Sequence, residues 1–163
     1  MKSMRLAALA GVAAIASTSV GCADASESGH GTLTVAVAFY PIEELVRRVG
    51  GNNVELTTLV PPGSEAHEFE PTARQVANLE DADVVFYIGS DFQPSLQNAI
   101  SALPDSVRTV DLLDGLTVLT GDDGTDPHVW LDPHNMQSMA QTVSAVLSEE
   151  APAQATLFTS ASD

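Results

Sequence analysis

Positive charge is scarce in this sequence. Six lysines and arginines stand against 22 aspartates and glutamates, and the formal charge of the 163 residues is −16. Residues 22–163 contain no lysine and only four arginines. Proteins that bind nucleic acid or an anionic membrane surface need basic patches, so we expect neither as a direct ligand. An acidic surface attracts cations, although the same composition also serves solubility.

Cysteine is almost missing as well. Cys22 is the only one, so neither an internal disulfide nor a cluster of thiolate metal ligands can form. Any metal site in this chain has to use histidine and carboxylate ligands.

The first 21 residues are typical of a secretory signal peptide. Lys2 and Arg5 precede an uncharged run of small and apolar residues, 6–20, which is short for a membrane span. Residues 19–22 resemble a bacterial lipobox, although serine replaces the usual leucine, and Ala-Asp-Ala at 23–25 offers a competing cleavage site. We expect Cys22 to carry lipid and anchor the protein outside the cytoplasm, with a soluble periplasmic or secreted form as the alternative.

Apolar runs alternate with helical patterns along the rest of the chain. Residues 22–31 are small and polar, as in a flexible tether. Residues 114–126 are rich in glycine, aspartate and threonine and are expected to form a loop. Strands are predicted at 33–39, 54–60, 83–88 and 107–110, and helices at 41–50, 72–80, 94–103, 136–147 and 152–161. This alternation predicts an α/β fold, a parallel sheet flanked by helices.

Two histidines lie in proline-bounded segments. His67 lies in the segment 61–71, directly after the second predicted strand, and His128 lies in the segment 126–133. Open parallel sheets bind ligands beyond the carboxyl ends of their strands, so His67 is expected at such an edge. Neutral imidazole is a good ligand for zinc and other divalent metals.

Carboxylates accompany both histidines and could orient the imidazoles through their second nitrogen. These neighbours are Glu65, Glu68 and Glu70 for His67, and Asp126 and Asp132 for His128. We expect Glu68, Glu70, Asp126 and Asp132 to support the ligands. Trp130 is interpreted as a packing anchor, and His134 as part of a helix start. From the residues alone, the alternative that both are ordinary loop histidines without a partner stays open.

Enzyme motifs are incomplete in this chain. His67-Glu68 begins like the helix of a zinc protease, but Pro71 stands where the second histidine is needed. The sequence contains no nucleophile elbow and no phosphate-binding glycine loop. A metal-dependent hydrolase therefore lacks a general base beyond Glu68 and Glu70, and we expect no catalysis.

Three ordered motifs, at 61–71, 82–89 and 126–133, together resemble the cluster A-I substrate-binding proteins of ABC transporters. The resemblance implies a monomeric receptor with two α/β lobes joined by a helical backbone, which carries zinc or manganese to an ABC permease. It implies that His67 and His128 are the two ligands of the first lobe. A histidine or glutamate and then an aspartate or glutamate would follow from the second lobe. A surface adhesion lipoprotein of the same fold is the alternative.

The same resemblance divides the chain. Residues 32–150 are expected to form the amino-terminal lobe and residues 151–163 to begin the helix between the lobes, with the second lobe absent. With two of about four ligands, the chain is expected to bind metal weakly. Residues 120–125 lack the histidines found in this loop of many zinc carriers, but 128–133 look more like the zinc members. Zinc is the expected metal and manganese the next choice.

Overall fold

A parallel four-stranded sheet forms the centre of the protein. The computed structural model describes residues 32–121 and 124–162, so the predicted signal peptide, the tether and Cys22 lie outside the described part. The strands are paired in the order β2-β1-β3-β4, all parallel. They are β1 (Leu33–Val37), β2 (Val54–Thr58), β3 (Val84–Tyr87) and β4 (Arg108–Asp111). The predicted parallel α/β fold is therefore confirmed.

Helices connect and cover these strands. They are α1 (Tyr40–Gly50), α2 (Ala73–Glu80), α3 (Pro94–Ile100), α4 (Pro133–Glu150) and α5 (Ala155–Ala161). Single 3₁₀ turns lie at Gly51–Asn53, Val129–Leu131 and Pro152–Gln154, and a short antiparallel pair joins β5 (Thr120–Gly121) and β6 (Gly124–Thr125). Helix α4 begins three residues earlier than predicted because the Asp132 side chain accepts a hydrogen bond from the backbone N–H of His134 and caps it.

The two central strands are buried on both faces. Val37, Val84, Val85 and Phe86 have no exposed surface, which explains why β1 and β3 read as continuous apolar runs. The edge strand β2 instead alternates half-buried and exposed residues. The predicted apolar stripe of α1 is buried, and the helix ends at Gly51, whose positive φ of 55° suits glycine.

Strand order reverses between β1 and β3. The chain leaves β1 for β2 on one side and then returns to β3 on the other side. Right-handed crossovers then put α1 on one face of the sheet and α2 and α3 on the opposite face. A crevice opens beyond the carboxyl ends of the strands at such a reversal, and this crevice is the usual ligand site of open α/β sheets.

The carboxy-terminal helix is part of the packed structure. Helix α5 contacts α4 and α1, and its Phe158 side chain is completely buried. The interpretation of residues 151–163 as the start of an inter-lobe helix stays a prediction. None of the helices in the described part of the chain is long and apolar enough to cross a membrane.

The start of α2 gives a first test of the fold. Thr72 accepts a hydrogen bond from the N–H of Gln75, and the Gln75 side chain accepts one from the N–H of Thr72, which is a capping box. We expect Thr72→Ala to lower the free energy of unfolding by about 1 kcal/mol in urea denaturation. Thr159→Ala, on an exposed position inside α5, is the control and should change it by less than about 0.5 kcal/mol. Equal losses in the two variants would contradict the capping role.

Candidate metal centre

The two histidines singled out in the sequence meet in space. The ring centroids of His67 and His128 are 5.3 Å apart, with an angle of 48° between the ring planes. Two imidazoles on one tetrahedral zinc, with Zn–N distances of about 2 Å, have centroids about 5 Å apart. The spacing of the two rings therefore fits a shared metal ion.

Each imidazole is held by a carboxylate two residues before it. The Glu65 carboxylate accepts hydrogen bonds from the backbone N–H of His67, at 3.1 Å, and from its Nδ1, at 2.8 Å. Asp126 does the same for His128, at 3.0 and 2.7 Å. A carboxylate only accepts, so Nδ1 carries the proton and Nε2 has the free lone pair. In both rings Nε2 is thus the nitrogen that is free to bind a metal.

These hydrogen bonds also stabilise the charged carboxylates. The pKa of Glu65 is lowered, mainly by the hydrogen bond from the His67 side chain and then by that from its backbone. The pKa of Asp126 is lowered as well, mainly by the backbone hydrogen bond from His128 and then by the side-chain one. The two imidazoles therefore each have a negative charge beside Nδ1, which favours a cation at Nε2.

The same local arrangement occurs a third time without reaching the pair. Asp132 accepts hydrogen bonds from the N–H and Nδ1 of His134, at 2.8 and 3.3 Å. The His134 side chain is 95% exposed and belongs to the first turn of α4. Asp132 thus supports His134 and the helix start, rather than His128 as expected from the sequence, because the helix cap orients its carboxylate towards α4.

The expected supporting roles of Glu68 and Glu70 do not appear in the geometry. Both side chains are exposed, and the His67 hydrogen bonds given by the structure go to Glu65. Glu65 is placed by its spacing, because an acidic residue two positions before the histidine can reach both the backbone N–H and Nδ1. The shared pattern acid-x-His at 65–67 and 126–128 is the signal that identifies it.

An aromatic cluster packs against the two imidazoles. The ring of Phe92 lies edge-on to His67 at 4.5 Å and to His128 at 6.1 Å. Trp130 packs against His128, Phe39 and Phe92, with centroid distances of 5.2, 4.8 and 5.2 Å. Phe39 follows β1 and Phe92 follows β3, so the cluster fills the crevice where the strand order reverses. Neither phenylalanine was predicted from the sequence to belong to the site.

Both imidazoles are accessible to solvent. The side chains of His67 and His128 are 49% and 40% exposed. A groove of about 650 Å³ runs beside His128 towards Leu119 and Leu131, two largely exposed leucines. Among the described residues, no three histidine, cysteine, aspartate or glutamate side chains converge on one point. The site therefore offers two nitrogen ligands and leaves room for others.

Known proteins share this sequence and architecture. The zinc-binding lipoprotein AdcA of Streptococcus pneumoniae is 28% identical over 149 residues, which cover 82% of this chain and 30% of that protein. The manganese-binding lipoprotein MntA of Halalkalibacterium halodurans is 30% identical over 135 residues, covering 82% and 44%. The crystal structure of the Zn(II)-bound ZnuA-like domain of Streptococcus pneumoniae AdcA matches with a TM-score of 0.74 at 28% identity, covering 81% and 49%.

The chain thus spans less than half the length of each of these three relatives. The profile of the family described as zinc-uptake complex component A, periplasmic (ZnuA), matches residues 35–163. That match begins within β1 and includes the other three strands of the sheet, both histidines and the five described helices, and it confirms the resemblance drawn from the three motifs. The chain belongs to the ZnuA family of metal-binding receptors.

Proposed function

We propose that this chain supplies the two-histidine wall of a site that captures a divalent metal ion for delivery to an ABC permease. His67 and His128 are the metal ligands, each through Nε2. Glu65 and Asp126 orient them, and Phe39, Phe92 and Trp130 form the packed base of the site. The function is binding and release without catalysis.

The observation that carries this proposal is the joint geometry of the two imidazoles. Both rings have their Nδ1 occupied by a carboxylate, and they lie at the centroid spacing of two ligands on one zinc ion. The exposed His134 has the same pairing with a carboxylate, so it is the spacing of the two rings that distinguishes His67 and His128. The zinc- and manganese-binding names of the relatives support the same chemistry.

Zinc is proposed as the preferred metal and manganese as the second choice. Imidazole nitrogen suits zinc, whereas manganese prefers oxygen ligands. The ligands that complete the coordination would come from a second lobe, as the resemblance implies. An extracytoplasmic location, a lipid anchor at Cys22 and a monomeric state belong to the same proposal, and the word lipoprotein in the names of both relatives supports the anchor.

Calorimetric titration of this chain with zinc tests the proposal. We expect one ion per chain with a dissociation constant above about 1 μM, because two of about four zinc ligands are provided. Histidine ordinarily takes up a proton below about pH 6.5, and a protonated imidazole cannot ligate. Affinity should therefore fall by more than about 100-fold from pH 7 to pH 5, since two imidazoles compete with protons.

The carboxylates do not account for this pH dependence. The lowered pKa values of Glu65 and Asp126 keep both groups ionised throughout that range. Sub-micromolar zinc binding would contradict the two-ligand site, and an affinity that does not change between pH 7 and pH 5 would contradict imidazole ligation. Competition with manganese at equal concentration tests the order of preference, and a manganese affinity above that for zinc would reverse it.

A further inference from the structure

The loop that carries His67 has little regular structure of its own. Residues 61–71 lie between β2 and α2, and their internal backbone hydrogen bonds are those from Ser64 to Pro61 and from Phe69 to Ala66. Two such bonds do not fix a loop of this length. Glu65, which orients the ring, belongs to the same loop, so the position of His67 relative to the sheet must depend on contacts from other elements.

One of these contacts comes from a buried glutamine. The Gln93 side chain donates a hydrogen bond from Nε2 to the backbone carbonyl of Ala66, at 2.9 Å and 27 residues away in sequence. Ala66 is the residue directly before His67. Gln93 has no exposed surface, so solvent does not compete with this hydrogen bond.

The other end of the same amide is unusual. The Oε1 atom of Gln93 is buried and has no hydrogen-bond partner among the described residues. Burying a polar amide in this way is unfavourable, so a hydrophobic side chain of the same size would be the better choice for packing alone. The hydrogen bond to Ala66 is the contact that a hydrophobic residue could not make.

The residue before Gln93 contacts the same loop. Phe92 packs edge-on against the His67 ring at 4.5 Å. The two residues before Phe92, Ser90 and Asp91, both adopt positive φ, of 57° and 56°. Such conformations are uncommon for residues other than glycine, and strained backbone of this kind is concentrated near functional sites.

We propose that Gln93 is the positioning residue of the metal ligand His67, holding the loop through the Ala66 carbonyl while Phe92 holds the ring. This inference rests on the proposed metal-binding function. Gln93 itself does not touch the metal. It restricts the His67 ring to its position 5.3 Å from the ring of His128.

The test uses Gln93→Met, which keeps the length of the side chain and removes the donor. The matched control is Gln97→Met. Gln97 lies inside α3, one turn after Gln93, and also has a buried Oε1; within the described part of the chain this oxygen has no partner and the Gln97 side chain forms no hydrogen bond to the loop. Zinc affinity should fall roughly tenfold in Gln93→Met, as for other residues that orient a ligand, and by less than about twofold in Gln97→Met.

Nitrogen-15 NMR of the imidazoles in the metal-free chain gives a second readout. In Gln93→Met the His67 ring signals should shift or broaden as the loop gains freedom, while those of His134 stay unchanged. This measurement requires no metal binding, so it judges the positioning role even if zinc fails to bind the wild-type chain. Unchanged His67 signals, or equal zinc affinities in the two methionine variants, would overturn the inference.

A further variant guards against misfolding. Gln93→Asn keeps the amide but is one methylene too short to reach Ala66, so it should reproduce the His67 changes of Gln93→Met. In the wild-type chain, the side-chain NH₂ protons of Gln93 should exchange with solvent more slowly than those of the exposed Asn98. Equally fast exchange would show that the hydrogen bond does not persist and would also overturn the inference.

Discussion

Replacing His67 and His128 together by alanine should reduce zinc affinity by more than about 100-fold. Loss of a residue that merely orients a ligand costs about 10- to 100-fold, and here the ligands themselves are removed. Both side chains are about half exposed, so the fold should tolerate the change. Calorimetric titration at pH 7 measures the loss, and circular dichroism confirms that the double variant remains folded.

The chain contains its own control for this prediction. His134 has the same carboxylate two residues before it and the same pairing through Nδ1, but its side chain is 95% exposed in the first turn of α4. His134→Ala should leave zinc affinity within about twofold of the wild type. If the His134 variant lost as much affinity as the double variant, zinc would be binding to surface histidines in general. Stoichiometric zinc retained by the double variant would refute the assignment of the ligands.

The three histidines show which features of the site local sequence can predict. Each is the last residue of an acid-x-His pattern. In each pattern the acid accepts hydrogen bonds from the backbone N–H and from Nδ1 of the histidine. The pattern therefore predicts the tautomer of the ring. It does not predict which rings meet, because that depends on where β2 ends and where the 126–133 segment returns to the sheet. The ordered resemblance of three motifs selected His67 and His128.

The strands and helices were predictable for a different reason. Completely buried central strands read as apolar runs, and amphipathic helices show their period, so their existence follows from local pattern. The start of α4 was predicted too late because its cap depends on one hydrogen bond, which the Asp132 side chain accepts from the N–H of His134. Phe39, Phe92 and Gln93 were missed because their roles depend on contacts between elements that are distant in sequence.

Gly89→Ala, which adds a single methyl group, should strongly destabilise the fold. Gly89 is buried just after β3, and a Cβ at this position would clash with Oδ2 of Asp111. The Asp111 carboxylate accepts hydrogen bonds from the N–H groups of Gly89 and Leu113, at 2.8 and 2.9 Å. Gly89→Ala forces this carboxylate away from both donors, so we expect the free energy of unfolding in urea to fall by about 3 kcal/mol.

Gly121→Ala is the control, because a Cβ at Gly121 meets nothing within 4 Å among the described residues, and it should change stability by less than about 0.5 kcal/mol. The cause can be isolated with Asp111→Ala, which removes the obstructing carboxylate. If the clash dominates, the double variant should be less destabilised than the sum of the two single changes. Simple additivity would show that Gly89 is needed for a reason other than Asp111.

The same substitution reaches the metal site through the chain that follows. Gly89 begins the turn that continues through the left-handed Ser90 and Asp91 to Phe92, whose ring lies against His67. A shift at Gly89 should therefore move Phe92 and weaken zinc binding even at temperatures where the variant is fully folded. Zinc affinity equal to that of Gly121→Ala, measured under such conditions, would contradict this coupling. The hydrogen bond between β4 and the end of β3 would then stabilise the sheet without holding the ligand.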